Sequence, residues 1–367
     1  MGTASEKPPY REFQIRGEFL DARPYGSGHL HDTYFVKVHQ KNILVPYIFQ
    51  RINHRVFRDP PALMENIVRV TRHIRGKLEA RGTPENQISR RVLTVIFTQN
   101  GESCYRDPKG NYWRAYRFIG KAESFNELQS NEQAFQVAFM FGQFLEMLRD
   151  FPGPPLHEII PGFHHGPQRL KDFRKALAAD THNRATSAKK EIDFLLSHAP
   201  LFSVLPDLVQ KKKIPLRITH NDTKVNNVML DENTGAGVCV IDLDTVMSGL
   251  SLYDFGDLAR TTLSSRGEDE RDLTGVCVNL SRFASILEGF LKGTKGTLTG
   301  TEKEYLVFST KLMPLLIGMR FLTDYLYGDV YFKIQREGQN LDRCRRQFKL
   351  VESVIEKEEE MDLLIYS

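Results

Sequence analysis

The sequence predicts an α+β chain of two lobes, a small β-rich N-lobe over residues 1–119 and a larger, mostly helical C-lobe over residues 120–367. Three observations carry this. The length of 367 residues suits one large or two medium domains. Up to about residue 119, β-branched and aromatic runs alternate with polar turns. From Gly120 onward the apolar residues recur at helical spacing, with one short β region among them. A composition of 41% hydrophobic and 26% charged residues is enough for a sizeable core.

The N-lobe reads as strands, a helix and further strands. Phe19 to Tyr25, Asp32 to Val38 and Asn42 to Ile52 have strand composition and are separated by turns. Asp59 can cap a helix whose first turn holds Pro60 and Pro61, and Leu63, Ile67, Val70, Ile74 and Leu78 line one face before Gly82 stops it. Val92 to Thr98 and Tyr112 to Ile119 read as strands, with Asn100-Gly101 and Asp107 to Gly110 as turns. Trp113 is expected in the core or hinge.

In the C-lobe, helices are expected over Asn131–Asp150, Gln168–Ala179, Ala185–His198, Leu280–Leu291, Thr301–Tyr327 and Arg343–Glu360. The β region comprises Leu216–Thr219, Val228–Leu230 and Val238–Ile241. Lys211 to Lys213 and Arg343, Arg345 and Arg346 read as solvated faces.

Charge excludes some functions. Fifty Lys and Arg against 46 Asp and Glu leave +4, too even for a chain that binds a nucleic-acid backbone. Cys104, Cys239, Cys277 and Cys344 are too far apart for a zinc site and read as free thiols in a reducing compartment. Met1 to Glu6 lack an apolar signal core. The most apolar run, Leu312 to Leu322, is short of the roughly 20 residues that cross a bilayer. The expectation is a cytoplasmic protein with no membrane span.

The densest polar cluster is Thr219-His220-Asn221-Asp222-Thr223-Lys224-Val225-Asn226-Asn227, directly after a strand. Val240-Ile241-Asp242-Leu243-Asp244 follows at another strand end. H-x-D-x-x-x-x-N followed by D-x-D matches a phosphoryl-transfer centre. An attacking hydroxyl needs a carboxylate to orient it and take its proton, a role for Asp222. Mg²⁺ prefers oxygen donors such as the Asn227 amide and the Asp242 carboxylate, while Asp244 either touches metal or supports the loop. Asp254-Phe255-Gly256 spells the metal-binding triplet of protein kinases, but Asp242 already fills that role. Asp254 or Asp257 instead reads as a cap that fixes the loop below the site.

In the N-lobe, Tyr25-Gly26-Ser27-Gly28-His29-Leu30-His31 lies between two strands, as a phosphate-covering loop does. Arg51 is the favoured phosphate cation and Lys37 the runner-up. Glu65 and Glu79 are possible partners on the following helix. Adenine is expected at the hinge backbone near Phe118. Arg320 in an otherwise apolar helix, followed by Tyr325, Tyr327, Asp329 and Tyr331, is the candidate acceptor region, although a lone Arg there also reads as a snorkelling or salt-bridged side chain.

These residues resemble the aminoglycoside-phosphotransferase and choline-kinase superfamily, whose fold is protein-kinase-like, and within it the N-acetylhexosamine 1-kinases. The resemblance rests on Pro24 to His29, Phe49-Gln50-Arg51-Ile52-Asn53, Phe173 to Asp180, and Thr219 to Lys224 with Asn226-Asn227. It also rests on Ile241 to Thr245, Asp254 to Asp257, Gly318 to Leu322 and Gly328 to Phe332. It implies ATP- and Mg²⁺-dependent phosphorylation of the anomeric hydroxyl of GlcNAc or GalNAc. By position it makes Asp222 the base, Asn227 and Asp242 metal ligands, Arg320 and Tyr331 sugar contacts, and His29 a residue near the sugar or phosphates. A kinase of another small alcohol or amino sugar, or an inactive nucleotide-binding module, are the competing readings.

Overall fold

The computed structural model describes residues 8–26, 30–264 and 267–366. Ser27, Gly28 and His29, expected at the phosphates and the sugar, lie outside the described residues. The chain divides into two compact units, Met1–Ala122 with Phe151–Ile160 and Cys239–Val246, and Glu123–Asp150 with Pro161–Val238 and Met247–Ser367. The two later segments join the first unit because the buried Asn66 side chain gathers them. Its amide donates to the His157 carbonyl at 2.9 Å and the Val246 carbonyl at 3.3 Å, and its oxygen accepts the His157 N–H at 2.9 Å.

The first unit is built on an antiparallel sheet. Its strands are β1 (Glu18–Pro24), β2 (Asp32–Gln40), β3 (Ile43–Ile52), β4 (Val95–Ile96), β5 (Tyr105–Arg106) and β6 (Tyr112–Arg117). The order is β1-β2-β3-β6-β4, with β5 also on β6. Val36, Val38, Phe49, Trp113 and Ala115 are buried on it with Tyr10 and Phe13. Helix α1 (Pro60–Ala80) starts as expected, with the Asp59 carboxylate accepting the Ala62 N–H at 3.1 Å, and all five residues of its apolar face are buried. The expected strand Val92–Thr98 is two residues long, preceded by a helix α2 (Glu85–Arg91) that its weakly periodic sequence does not announce.

Strand β7 (Ala122–Ser124) leads the chain into the second unit, which holds α3 (Asn131–Met147), α4 (Gly166–Ala179), α5 (Lys189–Ser197) and α6 (Val204–Gln210). Strands β8 (Arg217–Thr219), β9 (Val228–Asp231) and β10 (Gly237–Val240) follow, then β11 (Met247–Gly249), which pairs antiparallel with β8. The remaining helices are α7 (Ser251–Thr262), α8 (Leu280–Thr294), α9 (Gly300–Glu304), α10 (Leu306–Leu326), α11 (Gln339–Glu356) and α12 (Glu358–Tyr366). Helices α3 and α8 pack closely because their contact is lined by glycine: a Cβ on Gly142 would lie 2.4 Å from the Phe290 carbonyl oxygen.

Helix α10 extends the eleven-residue apolar run to 21 residues. By length and composition it could cross a membrane, but it is mostly buried within its unit, against α7 and α11. Lys211 to Lys213 are exposed as expected. Arg343 and Arg346, expected on a solvated face, are buried instead. The Arg343 guanidinium pairs with Asp269 at 2.6 Å and donates to the Lys333 carbonyl, partners that only the fold supplies.

Candidate active site

The polar loop that leaves β8 is held from below. Asn221 has a left-handed backbone, φ 63°, which asparagine tolerates better than most residues. Its side chain accepts the Thr219 hydroxyl at 3.0 Å. The buried Asp254 carboxylate accepts the backbone N–H of His220 at 3.0 Å and of Asn221 at 2.7 Å, and the Asp254 carbonyl accepts the Thr223 hydroxyl at 2.6 Å. The Asp254-Phe255-Gly256 triplet therefore sits inside α7 as the support of this loop. The His220 ring stands edge-on to Phe141 and Phe144.

This support presents Asp222, half-buried at the loop's apex. The Asn227 amide donates to the Asp222 carbonyl at 2.8 Å and to its carboxylate at 3.2 Å. That leaves the Asn227 amide oxygen as the donor for a cation. The Lys224 ammonium lies 3.0 Å from the Asp222 carboxylate. Burial pushes the Asp222 carboxyl up, but Lys224, with His220 and Arg260, more than reverses this and holds it below its ordinary value. Asp222 is thus ionised at neutral pH, and Lys224 is a partly exposed cation in direct contact with it.

The D-x-D carboxylates, in the first unit, have separate environments. Asp242 is exposed and left-handed, φ 58°, at the head of the short turn Leu243–Thr245. Asp244 is buried. The Arg114 guanidinium grips it bidentately, with one contact at 2.9 Å, and the His31 imidazole reaches the same carboxylate. His31 accepts the Asn53 N–H at 3.0 Å on Nδ1, so Nε2 carries the proton donated to Asp244. Arg114 also donates to Gln50 at 2.9 Å. Asp244 is therefore an anchor tying the Asp242 turn to β3, β6 and the segment before β2. The Asn227 amide and, in the other unit, the exposed Asp242 carboxylate are each hard oxygen donors of the kind Mg²⁺ prefers, and the Asp244 carboxylate is held by Arg114 and His31.

Elsewhere in the first unit, Arg51 forms a cross-strand ion pair with Asp32, with contacts of 2.5 and 2.9 Å, on an exposed face. Such a pair contributes about 0–1 kcal/mol and opens readily. Lys37 lies 5.8 Å from the centroid of the Phe35 ring. Glu65 pairs with His157 and Glu79 with Arg75. The Phe118 N–H reaches the Pro46 carbonyl at 3.3 Å, and its ring stands edge-on to Phe35 and Tyr25. Gly26 has φ 77°, a conformation that favours glycine.

In the second unit the Arg320 guanidinium faces three aromatic rings, 4.8 Å from the centroid of Phe163, 5.6 Å from Phe332 and 5.7 Å from Tyr331, and its Nη2 is 3.5 Å from the Tyr331 hydroxyl. The turn carrying Tyr331 is gathered by the buried Asp324 carboxylate, which accepts the N–H groups of Val330, Tyr331 and Phe332 at 2.8–3.0 Å and the Asn340 amide at 2.9 Å. Asp329, left-handed at φ 62°, is held by Arg184 at 2.5 Å and Asn340 at 2.8 Å.

Sequence spacing singled out Asp222, Asn227 and Asp242 but missed the roles of Lys224, Arg114 and Asp324. Lys224 could have been read from its place two residues after Asp222. Arg114 and Asp324 carry no local signal, since their partners come from distant parts of the chain or from backbone amides.

The profile of the phosphotransferase enzyme family (APH) matches residues 21–280. In fold, the chain is similar to the crystal structure of an aminoglycoside phosphotransferase from Alicyclobacillus acidocaldarius subsp. acidocaldarius, with TM-score 0.62 and 13% identity over 100% of this chain and 98% of that one. It is also similar to choline kinase from Cryptosporidium parvum Iowa II, with TM-score 0.56 and 15% identity over 94% and 92%. A third is spectinomycin phosphotransferase in complex with ADP and spectinomycin, with TM-score 0.53 and 15% identity over 94% of each chain. At such identities these structures establish the protein-kinase-like fold. The family match runs from β1 to the start of α8 and includes the loop of Asp222 and the turn of Asp242, and on this ground the chain belongs to the phosphotransferase enzyme family.

Proposed function

We propose that the protein is an ATP-dependent anomeric kinase that phosphorylates GlcNAc or GalNAc to the hexosamine 1-phosphate. The single observation that carries the acceptor reading is Arg320 among Phe163, Tyr331 and Phe332. A guanidinium with Arg169 in its field disfavours cationic acceptors such as aminoglycosides or choline. It suits a neutral, hydroxyl-rich ring whose apolar face can lie on an aromatic side chain. The ADP in the spectinomycin phosphotransferase structure supports a nucleotide donor.

In this reading Asp222 orients the anomeric hydroxyl and accepts its proton. A carboxylate held below its ordinary value is a weak base, but an anomeric hydroxyl is more acidic than an ordinary alcohol. Positioning and charge neutralisation then supply most of the rate. Lys224 turns its ammonium from Asp222 to the transferring phosphate. Gly26 lets the backbone approach the phosphates, Arg51 reaches them by opening its pair with Asp32, and the backbone near Phe118 meets the adenine. By the family resemblance Asn227 and Asp242 would be the ligands of Mg²⁺, which would offset the charge developing on the phosphates. Asp244 positions Asp242. An ATP donor and four free cysteines suit a reducing, ATP-containing compartment such as the cytoplasm.

The test is incubation with Mg-ATP and a panel of free hexosamines, other sugars, aminoglycosides and choline, with any new phosphate located by ³¹P NMR. A phosphate on C1 of GlcNAc or GalNAc is expected. A phosphate on another small alcohol or amino sugar would establish the alternative acceptor class, and no new ester anywhere would refute kinase activity on these acceptors. Asp222→Asn should keep ATP binding and lose about a thousandfold in kcat.

A further inference from the structure

His164 lies in the segment between α3 and α4 and belongs to none of the groups assigned so far. It is 5% exposed, and its Nε2 donates to the Asn221 carbonyl at 2.7 Å. That carbonyl belongs to the peptide unit joining Asn221 to Asp222. The N–H of the same peptide unit donates to His220 Nδ1 at 3.3 Å. Both ends of the peptide that carries Asp222 are therefore held by imidazoles, one from the loop itself and one from outside it.

The second nitrogen of His164, Nδ1, is buried with no hydrogen-bond partner. The ring packs between Phe163 at 4.3 Å and Tyr253 at 5.3 Å between centroids. A buried imidazole with one unpartnered nitrogen carries a desolvation cost, which the Nε2 hydrogen bond to the Asn221 carbonyl helps to offset. Burial also pushes its pKa down to about 3, so it stays neutral with its proton on Nε2. Asn221 in turn has the left-handed backbone that asparagine tolerates, with its carbonyl turned toward His164. The neighbouring Phe163 faces Arg320, so one short turn touches both the candidate acceptor residue and the backbone before Asp222.

We propose that His164 is a positioning residue for phosphoryl transfer: its Nε2–H, donated to the Asn221 carbonyl, fixes the peptide plane that aims the Asp222 carboxylate. This rests on Asp222 being the group that orients the acceptor. His164→Leu keeps an apolar side chain but removes the donor, whereas His164→Gln can still present an N–H. The expected result is a ten- to hundredfold lower kcat in H164L with KM for ATP within about twofold, recovered to within about threefold in H164Q.

Amide hydrogen exchange over residues 219–227 should be faster in H164L than in wild type and near normal in H164Q. This readout needs no acceptor, so it judges the clamp even if no tested sugar is phosphorylated. ¹⁵N NMR of the wild-type protein should show an imidazole that is protonated on Nε2 only, does not titrate between pH 5 and 8, and is absent from the spectrum of H164L. Equal loss in H164L and H164Q, unchanged exchange in H164L, or titration of that imidazole in that range would each overturn the proposal.

Discussion

Removing Arg114 isolates the anchor beneath Asp242. Arg114 is 1% exposed and Asp244 2%, and Arg114→Met would leave the carboxylate buried with His31 and would strip Gln50 of its donor. Breaking a buried ion pair from one side costs about 3–5 kcal/mol, because the remaining charge stays desolvated. Replacing both partners, Arg114→Met with Asp244→Asn, removes that charge and should recover about half of the loss. Urea unfolding followed by tryptophan fluorescence is the suitable assay. Trp113 is the only tryptophan in the chain and lies beside Arg114 on β6, so its signal reports the first unit. Burial pushes the Asp244 carboxyl up, but Arg114 and His31 hold it well below its ordinary value. Such a group contributes stability above the unfolded value near 4 and loses it as pH falls through the folded value. The R114M deficit should therefore be largest near neutrality and shrink in acid. A deficit under about 1 kcal/mol, or a double variant no more stable than R114M, would refute the anchor.

Three further perturbations probe the second unit. A Cβ on Gly249 would lie 2.2 Å from the Thr219 hydroxyl and 2.4 Å from the Asn221 side-chain oxygen, so Gly249→Ala should displace the Asp222 loop and cut kcat at least tenfold; a fully active variant would refute this. Asp324→Ala strips three backbone N–H groups of their acceptor and should raise KM for the acceptor about tenfold while leaving KM for ATP unchanged, as steady-state kinetics would show. Burial pushes the Asp254 carboxyl up to about 7, partly offset by the two N–H groups it accepts. The folded chain then keeps a proton that the unfolded chain releases near pH 4, so this group's contribution falls as pH rises from about 4 to 7 and is flat above. The stability of wild type relative to Asp254→Asn should shrink across that range in thermal melts, and a difference constant with pH would refute the assignment.

What was legible in the sequence depended on short-range spacing. The 3.6-residue repeat and the Asp59-Pro60-Pro61 start located α1, and the strand-terminal H-x-D-x-x-x-x-N located the loop of Asp222. Helix α2 was illegible because seven residues with one buried apolar side chain carry no period. Arg343 and Arg346 read as solvated because a charge run gives no sign of the acids that will meet it.

The D-x-D pair shows where sequence stops. Two residues apart and chemically identical, Asp242 and Asp244 have the same local signal. One ends exposed, and the other ends buried against Arg114 and His31, residues more than a hundred positions away. In the same way, Arg320 read from sequence as a candidate acceptor contact with a snorkelling side chain as the plainer alternative, and only the fold supplied Phe163 as its neighbour. The chain by itself determined the order and type of the reactive groups, because these follow from covalent spacing and local backbone preference. Tertiary structure alone decided which groups are desolvated and paired, because burial and ion pairing act between residues that folding brings together.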